Sequence, residues 1–297
     1  MPELPEVETV RRGLAPVLVG AKLIRVEQRR PDLRFPFPAD FIPRLQGQRV
    51  EALDRRAKYL LMRLSSGETL LMHLGMSGRF LIETADDSGK NPQKLGYFYQ
   101  NTDLSVKHEH VVFHTEEGHR IGYVDPRRFG FMNLIPQDGC DEAPWLRDLG
   151  VEPLSNHFDA VVLQRVLAGS KAPLKSALLD QKRIAGLGNI YVCEALHRAG
   201  LSPLRVAGTL SGTSAKARQR SEALALAIRT VLQEAVAAGG SSLKDFAAAD
   251  GSLGYFQHAF RVYDQEGAAC PVQGCGGVVE RQVQAGRSTF YCARCQR

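Results

Sequence analysis

Apolar residues follow two different spacings along this chain, and the change between them divides it. Val7, Val10 and Leu14 share one helical face behind Pro5, which suits a first helical position, so the chain is predicted to open on a helix. Short apolar runs then alternate with Pro, Gly, Asp and Ser breaks: Leu23–Val26, Arg49–Leu53, Tyr59–Leu64, Thr69–Leu74, Val111–His114 and Arg120–Val124. These read as strands, with hairpin turns at Ser65–Glu68 and Thr115–Gly118. Their regular spacing predicts an antiparallel β-sandwich with a leading helix over residues 1–135. The polar stretch Ala85–Gln100 predicts a mobile surface loop within it.

Pro136–Pro153, rich in Pro, Gly and acidic residues and carrying Trp145, reads as a linker (136–153). Beyond it the spacing lengthens to that of helices. Phe158, Val161, Val162, Val166 and Leu167 form a stripe that ends at Gly169, and Leu174–Asp180 forms another. Asn189 is expected to cap a helix that runs to Ala199 and stops at Gly200. A long helix is expected from Ser214 to Ala238, with Leu224, Ile228, Val231, Leu232 and Val236 inward and Gly239-Gly240 as its stop.

Composition narrows the class without naming a function. Hydrophobic residues make up 44% of the 297 and charged residues 24%, the balance of a globular chain that needs no membrane. No apolar run approaches a membrane span, and the N-terminus lacks a signal peptide's regions, so a cytoplasmic monomer is expected. The net charge of +6 and pI near 9.0 suit a polyanionic partner.

Four of the six cysteines crowd into the last 28 residues as Cys270-x4-Cys275 and Cys292-x2-Cys295. That spacing predicts a four-thiolate site holding one structural Zn2+, with no open position for catalysis. Gln284–Ser288 would be the tip of the hairpin the metal holds, offering Arg287 to solvent or phosphate.

The first eight residues carry the chemistry. Pro2 suits removal of Met1, which would leave a secondary amine whose pKa near 7.7–8.0 keeps a nucleophilic fraction at neutral pH. Such an amine can attack a sugar C1′, and Glu3 lies beside it to move protons. The same residues also suit a plain helix start, with Glu6 and Glu8 at the positive end. Four further stretches admit two readings each. Lys58, in Arg55-Arg56-Ala57-Lys58-Tyr59, is a phosphate contact or a solvated charge. Met76, between Gly75 and Gly78, is a wedge for a base stack or a filler of the core. Arg127 and Phe129, in Asp125-Pro126-Arg127-Arg128-Phe129-Gly130, read a base edge and stack, or close a sheet end. Gly186-Leu187-Gly188-Asn189 cradles phosphate or simply turns tightly.

Taken together, these motifs resemble the bacterial formamidopyrimidine-DNA glycosylases, in the right order along nearly the whole chain. They are Pro2-Glu3-Leu4-Pro5-Glu6, Arg56-Ala57-Lys58-Tyr59-Leu60, His73-Leu74-Gly75-Met76-Ser77-Gly78, Asp125–Gly130, Gly188–Tyr191, Gly254-Tyr255-Phe256 and the cysteine tail. The resemblance implies an α+β multidomain chain: the sandwich, a helix-two-turn-helix domain (154–256) and a zinc finger (257–297). It implies a bifunctional enzyme that releases oxidised purines from double-stranded DNA and nicks the abasic site by β,δ-elimination through a Schiff base at Pro2. Glu3 is then the general acid, and Lys58 and Arg287 assist elimination. Met76, Arg127 and Phe129 fill the vacated space, and His73, His108, Ser170, Lys171, Lys175 and Asn189 contact the backbone. Glu6, Glu194 and Tyr255 support the lesion site, and Ser241–Tyr255 covers the flipped base. An endonuclease VIII-like enzyme for oxidised pyrimidines shares the Pro-Glu terminus and finger, and an inactive damaged-DNA-binding protein would keep the scaffold alone. The first knuckle departs from the family's usual Cys-x2-Cys, and the Ala85–Gln100 loop is longer than usual.

Overall fold

The computed structural model describes residues 2–83, 107–241 and 255–297. The Ala85–Gln100 loop and nearly all of the expected covering segment between Ser241 and Tyr255 lie outside the described residues. Two compact units are present, one built from 1–147 with 238–257, the other from 148–237 with 258–297.

The first unit opens on α1 (Leu4–Leu18), which buries Val7, Val10, Leu14 and Leu18 at helical spacing. Pro5 stands at its second position rather than its first, where a backbone N–H would equally lack an intrahelical partner. Two antiparallel four-stranded sheets follow. The strands are β1 (Leu23–Gln28), β2 (Val50–Arg56), β3 (Tyr59–Leu64), β4 (Glu68–His73), β5 (Arg79–Glu83), β6 (Glu109–Thr115), β7 (Arg120–Val124) and β8 (Phe131–Pro136), with a short helix α2 (Phe41–Leu45) after β1. One sheet has the order β1-β6-β7-β5 and the other β2-β3-β4-β8. One core joins Val10 and Leu14 of α1, Val26, Phe113 and Tyr123 of the first sheet, and Leu60, Met62, Leu70 and Met72 of the second, so the expected sandwich is observed. The hairpins β3–β4 and β6–β7 form at the predicted turns.

Sequence reading missed β5 and β8. In β5 the alternation of Phe80 and Ile82 with Arg79, Leu81 and Glu83 is a plain period of two. These two strands make the crossovers. The chain passes from β4 in one sheet to β5 in the other through residues 74–78, and returns from β7 to β8 through 125–130. Because β4 pairs with β8 and β5 with β7, the two crossovers lie side by side at one corner of the sandwich.

In the second unit α3 (Ala160–Leu167) is capped by the Asp159 carboxylate, which accepts from the Val162 N–H at 2.8 Å. After it come α4 (Leu174–Leu179), α5 (Asn189–Arg198) and α6 (Ala215–Ala237). Gly188, not Asn189, is the N-cap of α5, so Asn189 is its first helical residue. Ser214 Oγ accepts from the Ala217 N–H and starts α6, whereas Gly239 and Gly240, at φ +75° and +79°, end the helical run. The C-terminal hairpin β9 (Glu280–Gln284) and β10 (Arg287–Tyr291) packs with the helices: Cys193 of α5 shares a small core with Val262, Val279 and Phe290. The segments expected as a helical domain and a separate finger therefore belong to one packed body, and residues 238–241 and 255–257 group with the sandwich.

Candidate active site

Pro2 and Glu3 are both buried, Glu3 at 2% exposure, at the mouth of α1. Glu6, one helical turn on and also 2% exposed, fixes them. One of its oxygens accepts the Glu3 N–H at 2.8 Å. The other accepts both the N–H (2.8 Å) and the hydroxyl (3.0 Å) of Ser241, 235 residues away. Ser241 in turn bridges Tyr255 in antiparallel fashion, so the carboxylate grips the base of the segment whose ends are Ser241 and Tyr255. Gly240 passes so close that a Cβ there would lie 3.1 Å from Glu6 Cγ. The ring of Tyr255 itself is 67% exposed.

Lys58 sits at the two-residue tip of the β2–β3 hairpin, where Arg56 faces Tyr59. It is 7% exposed, so the reading of Lys58 as a solvated rim charge does not hold. Ala57 before it takes φ +53°, a left-handed backbone that costs an L-residue about 1 kcal/mol or more and fixes the direction in which Lys58 leaves the strand. His73 accepts the Gly75 N–H through Nδ1 at 3.0 Å, which leaves Nε2 as its protonated nitrogen. Its ring stacks on Phe131 at 5.6 Å and leans on Tyr59. Burial first, then the charges of Lys58 and Arg34, push its pKa down to about 4, so it is a neutral donor.

The two crossover turns carry Met76, Arg127 and Phe129. Met76 is half-buried and Phe129 is 44% exposed, with the Arg127 guanidinium 5.0 Å from the centre of its ring. His108 is half-buried and joins the second turn through its carbonyl, which accepts the Asp125 N–H. These residues are thus brought to one corner by topology.

In the second unit Asn189 Nδ2 donates to the Ser288 carbonyl at 2.9 Å, and among the described residues its Oδ1, though buried, has no partner. Lys175, expected to reach a phosphate, is 1% exposed. Its ammonium donates to the same Ser288 carbonyl (2.9 Å) and to Thr289 Oγ1 (2.6 Å), bracing the hairpin from within. Arg287, exposed, follows the turn Ala285-Gly286, whose positive φ values of +48° and +74° match the twist of a two-residue hairpin. Lys171 is exposed and Ser170 is 9% exposed, bonded through its carbonyl to the Gly208 N–H. Neither joins the Asn189 group among the described hydrogen bonds. Glu194, read as lesion support, is fully buried and accepts the backbone N–H groups of Arg261, Val262 and Tyr263 at 2.9–3.1 Å, tying the finger to α5. Sequence alone offered no signal for Ser288, which acts through its carbonyl, or for the bonds of Ser241 to Glu6, which join positions 235 residues apart.

The four cysteine sulfurs lie within 4.8 Å of one another. Cys270 Sγ is 3.7 Å from Cys295 Sγ, and Cys275 Sγ is 3.7 Å from Cys292 Sγ. Zn–S bonds of about 2.3 Å in a tetrahedron require S···S edges of about 3.8 Å, so the set fits zinc despite the longer first knuckle. A Cβ on Gly277 would meet Cys292 Sγ at 2.7 Å, which reserves that place for glycine.

A groove of about 420 Å³ elsewhere on the first unit is lined by Glu8, Arg11, Asp54, Arg55, Arg56 and Arg63 among others, none of them a predicted site residue. Burial alone would raise the pKa of Glu8, but Arg11, Arg12 and Arg55 outweigh it and hold it at about 2. The groove is a set of satisfied ion pairs.

Comparison with known proteins covers nearly all of the chain. Residues 1–132 match the family described as formamidopyrimidine-DNA glycosylase N-terminal domain, 149–247 the formamidopyrimidine-DNA glycosylase H2TH domain, and 267–297 the zinc finger found in FPG and IleRS. The formamidopyrimidine-DNA glycosylase of Beijerinckia indica is 60% identical over 297 residues, and that of Mesorhizobium japonicum 60% over 300, each alignment covering 100% of both chains. Among solved structures, the MutM (Fpg) protein of Thermus thermophilus is 39% identical with a TM-score of 0.81, covering 99% of this chain and 98% of its own. The Lactococcus lactis Fpg in complex with DNA containing an abasic site is 31% identical with a TM-score of 0.81, covering all of both chains. In the described residues no helix is long and apolar enough to cross a membrane.

Proposed function

Because this chain belongs to the formamidopyrimidine-DNA glycosylase family, and so is a base-excision repair DNA glycosylase with lyase activity at abasic sites, we propose that its reaction runs through Pro2. The substrate is double-stranded DNA carrying oxidised purines or abasic sites, which puts its work in the cytoplasm, at the nucleoid. The chain also holds one structural zinc in the four thiolates of its finger.

In this reading Met1 is removed and the Pro2 nitrogen attacks C1′ of the damaged nucleotide. The N–C1′ bond forms as the bond to the base breaks, and the base leaves with a proton supplied through Glu3. The adduct gives up the amine's one N–H proton, and the C1′–O4′ bond then breaks with O4′ taking up a proton, which leaves a cationic iminium between Pro2 and C1′. That cation acidifies C2′, loss of whose proton expels the 3′-phosphate. A second elimination expels the 5′-phosphate, and water then releases Pro2. Lys58, held low on its hairpin tip, serves the eliminations, and Arg287, at the exposed start of β10, holds phosphate. A base inside the stack is out of reach, so the nucleotide is extruded at a cost of a few kcal/mol. Met76, Arg127 and Phe129 on the paired crossovers fill the gap, and the Nε2–H of His73, His108 and Asn189 contact the backbone. Ser170 and Lys171 add a contact on the turn before α4. Lys175 and Glu194 act by bracing Ser288–Thr289 and residues 261–263 rather than by touching DNA.

The observation that carries this is the clasp on the N-terminus: a buried Glu6 carboxylate binds the Glu3 backbone with one oxygen and Ser241 with the other. A mere helix start needs the first bond and not the second. Borohydride added during reaction with an abasic duplex should trap a covalent protein–DNA adduct, and Pro2→Gly should abolish it together with strand cleavage. Intact mass measurement of the active enzyme should show Met1 missing; full activity with Met1 retained would refute the proposal.

A further inference from the structure

The two crossover turns are joined by a single carboxylate that none of the assigned roles includes. Asp125 is fully buried where β7 leaves its sheet. Its Oδ1 accepts the Ser77 hydroxyl from the other turn at 2.6 Å. Its Oδ2 accepts the Gly130 N–H at 2.8 Å and the Tyr123 hydroxyl at 3.3 Å. Ser77 Oγ in turn accepts the Arg127 N–H at 3.2 Å. The Asp125 carbonyl accepts from Arg128 N–H at 3.2 Å and bonds His110 Nε2 at 2.9 Å.

Main chain meets main chain at the same place. A Cβ on Gly75 would lie 2.3 Å from Gly130 N, and one on Gly130 would lie 1.9 Å from the Tyr123 hydroxyl oxygen. Met76 therefore stands between Gly75 and Ser77, and Arg127 and Phe129 between Asp125 and Gly130, with both frames fixed to one side chain. A closely packed pair of turns tied by charge-assisted bonds has little freedom to move one without the other.

We infer that Asp125 is the positioning residue that presents Met76, Arg127 and Phe129 as one preformed wedge, acting through Ser77 and Gly130 and touching neither DNA nor sugar. The inference rests on the wedge role proposed above. Asparagine replaces the carboxylate only in part. An amide NH2 facing Gly130 would oppose an N–H, and one facing Ser77 would reverse that bond and take away the acceptor of the Ser77 hydroxyl proton.

The experiment compares two substrates: a duplex carrying 8-oxoguanine, which must be opened, and a single strand with a preformed abasic site, which need not be. Asp125→Asn should lower kcat/KM on the duplex about tenfold, the loss of one charge-assisted hydrogen bond expressed as a rate, while nicking of the single strand is retained. Met76→Ala should show the same selectivity, and the double variant should be no worse than the more impaired single one, since both remove one device. Equal losses on the two substrates, or additive losses in the double variant, would overturn the inference. Met76→Ala impaired with Asp125→Asn normal would overturn it alone. Met76→Ala normal on both substrates would overturn the wedge reading and this inference with it. Should Asp125→Asn fail to fold, Ser77→Ala, which leaves the carboxylate and its Gly130 bond in place, should show the same substrate ratio in milder form; equal losses there would be decisive against it.

Discussion

Replacing Glu194 by glutamine separates its observed place from the lesion-site role first expected of it. The carboxylate accepts three consecutive backbone N–H groups, with Val262 at 3.0 Å and Tyr263 at 2.9 Å on Oε1, and Arg261 shared between both oxygens. A glutamine carbonyl can keep Val262 and Tyr263, but as neutral bonds each about 1 kcal/mol weaker, and its NH2 then opposes the Arg261 N–H at a further cost of about 2 kcal/mol. The neutral amide avoids the desolvation of a fully buried charge, which returns part of that sum. A net loss of about 2 kcal/mol remains, or about thirtyfold in the local opening equilibrium. Amide hydrogen exchange on the zinc-loaded protein should show that loss at residues 261–263 and through the Cys193, Val262, Val279 and Phe290 core. DNA cleavage should fall only as far as the finger loosens. Unchanged protection at 261–263 with a hundredfold loss of lesion cleavage would refute the reasoning and return Glu194 to the lesion.

Three further outcomes follow from the geometry. Arg287→Ala should weaken DNA binding and make the slope of log affinity against log salt shallower by about one unit, as expected for one lost phosphate contact; an unchanged slope would place Arg287 away from phosphate. Cys292→Ser, or stripping zinc with a chelator, should release the metal and expose Phe290 and Val279 to solvent, read by zinc content and hydrogen exchange; a finger still protected without metal would show that its packing on α5 suffices. His73 gives a pH signature. Its folded pKa of about 4 lies below the unfolded value near 6.5, so between those values the unfolded chain takes up a proton that the native state refuses. Its contribution is complete above pH 6.5 and shrinks as the pH falls toward 4, by about 2 kcal/mol at pH 5. Urea midpoints at pH 7 and pH 5 should therefore lie closer together in His73→Gln than in the unaltered protein, and equal spacing would discount the buried neutral ring.

Much of this was legible beforehand because it rests on local pattern. The helix stripe Val7–Val10–Leu14, the hairpins at Ser65–Glu68 and Thr115–Gly118, the stop at Gly239-Gly240 and the four thiolates each occupy a short stretch with its own physical signature. Strand β8 was hidden because Phe131, Met132, Leu134 and Ile135 are all buried, leaving no alternation to read. The burial of Lys58, Lys175 and Glu194 was hidden for a different reason. A charged residue in a sequence looks solvated, and only the fold reveals that Lys175 meets Ser288 and Thr289, more than a hundred positions away. Asp125 was in view as part of a motif, but its bond to Ser77 spans 48 positions and joins two separate turns.

The clasp between Glu6 and Ser241 also has a temporal meaning. The Glu6 carboxylate that holds the first residues of the polypeptide takes two of its hydrogen bonds from a serine made 235 residues later, so a chain emerging from the ribosome carries its N-terminus without them for most of its synthesis. The sandwich can assemble early, yet the clasp on its N-terminus closes only once the chain has been made past α6, and a truncated product ending before Ser241 would leave the Glu6 carboxylate without its two Ser241 bonds.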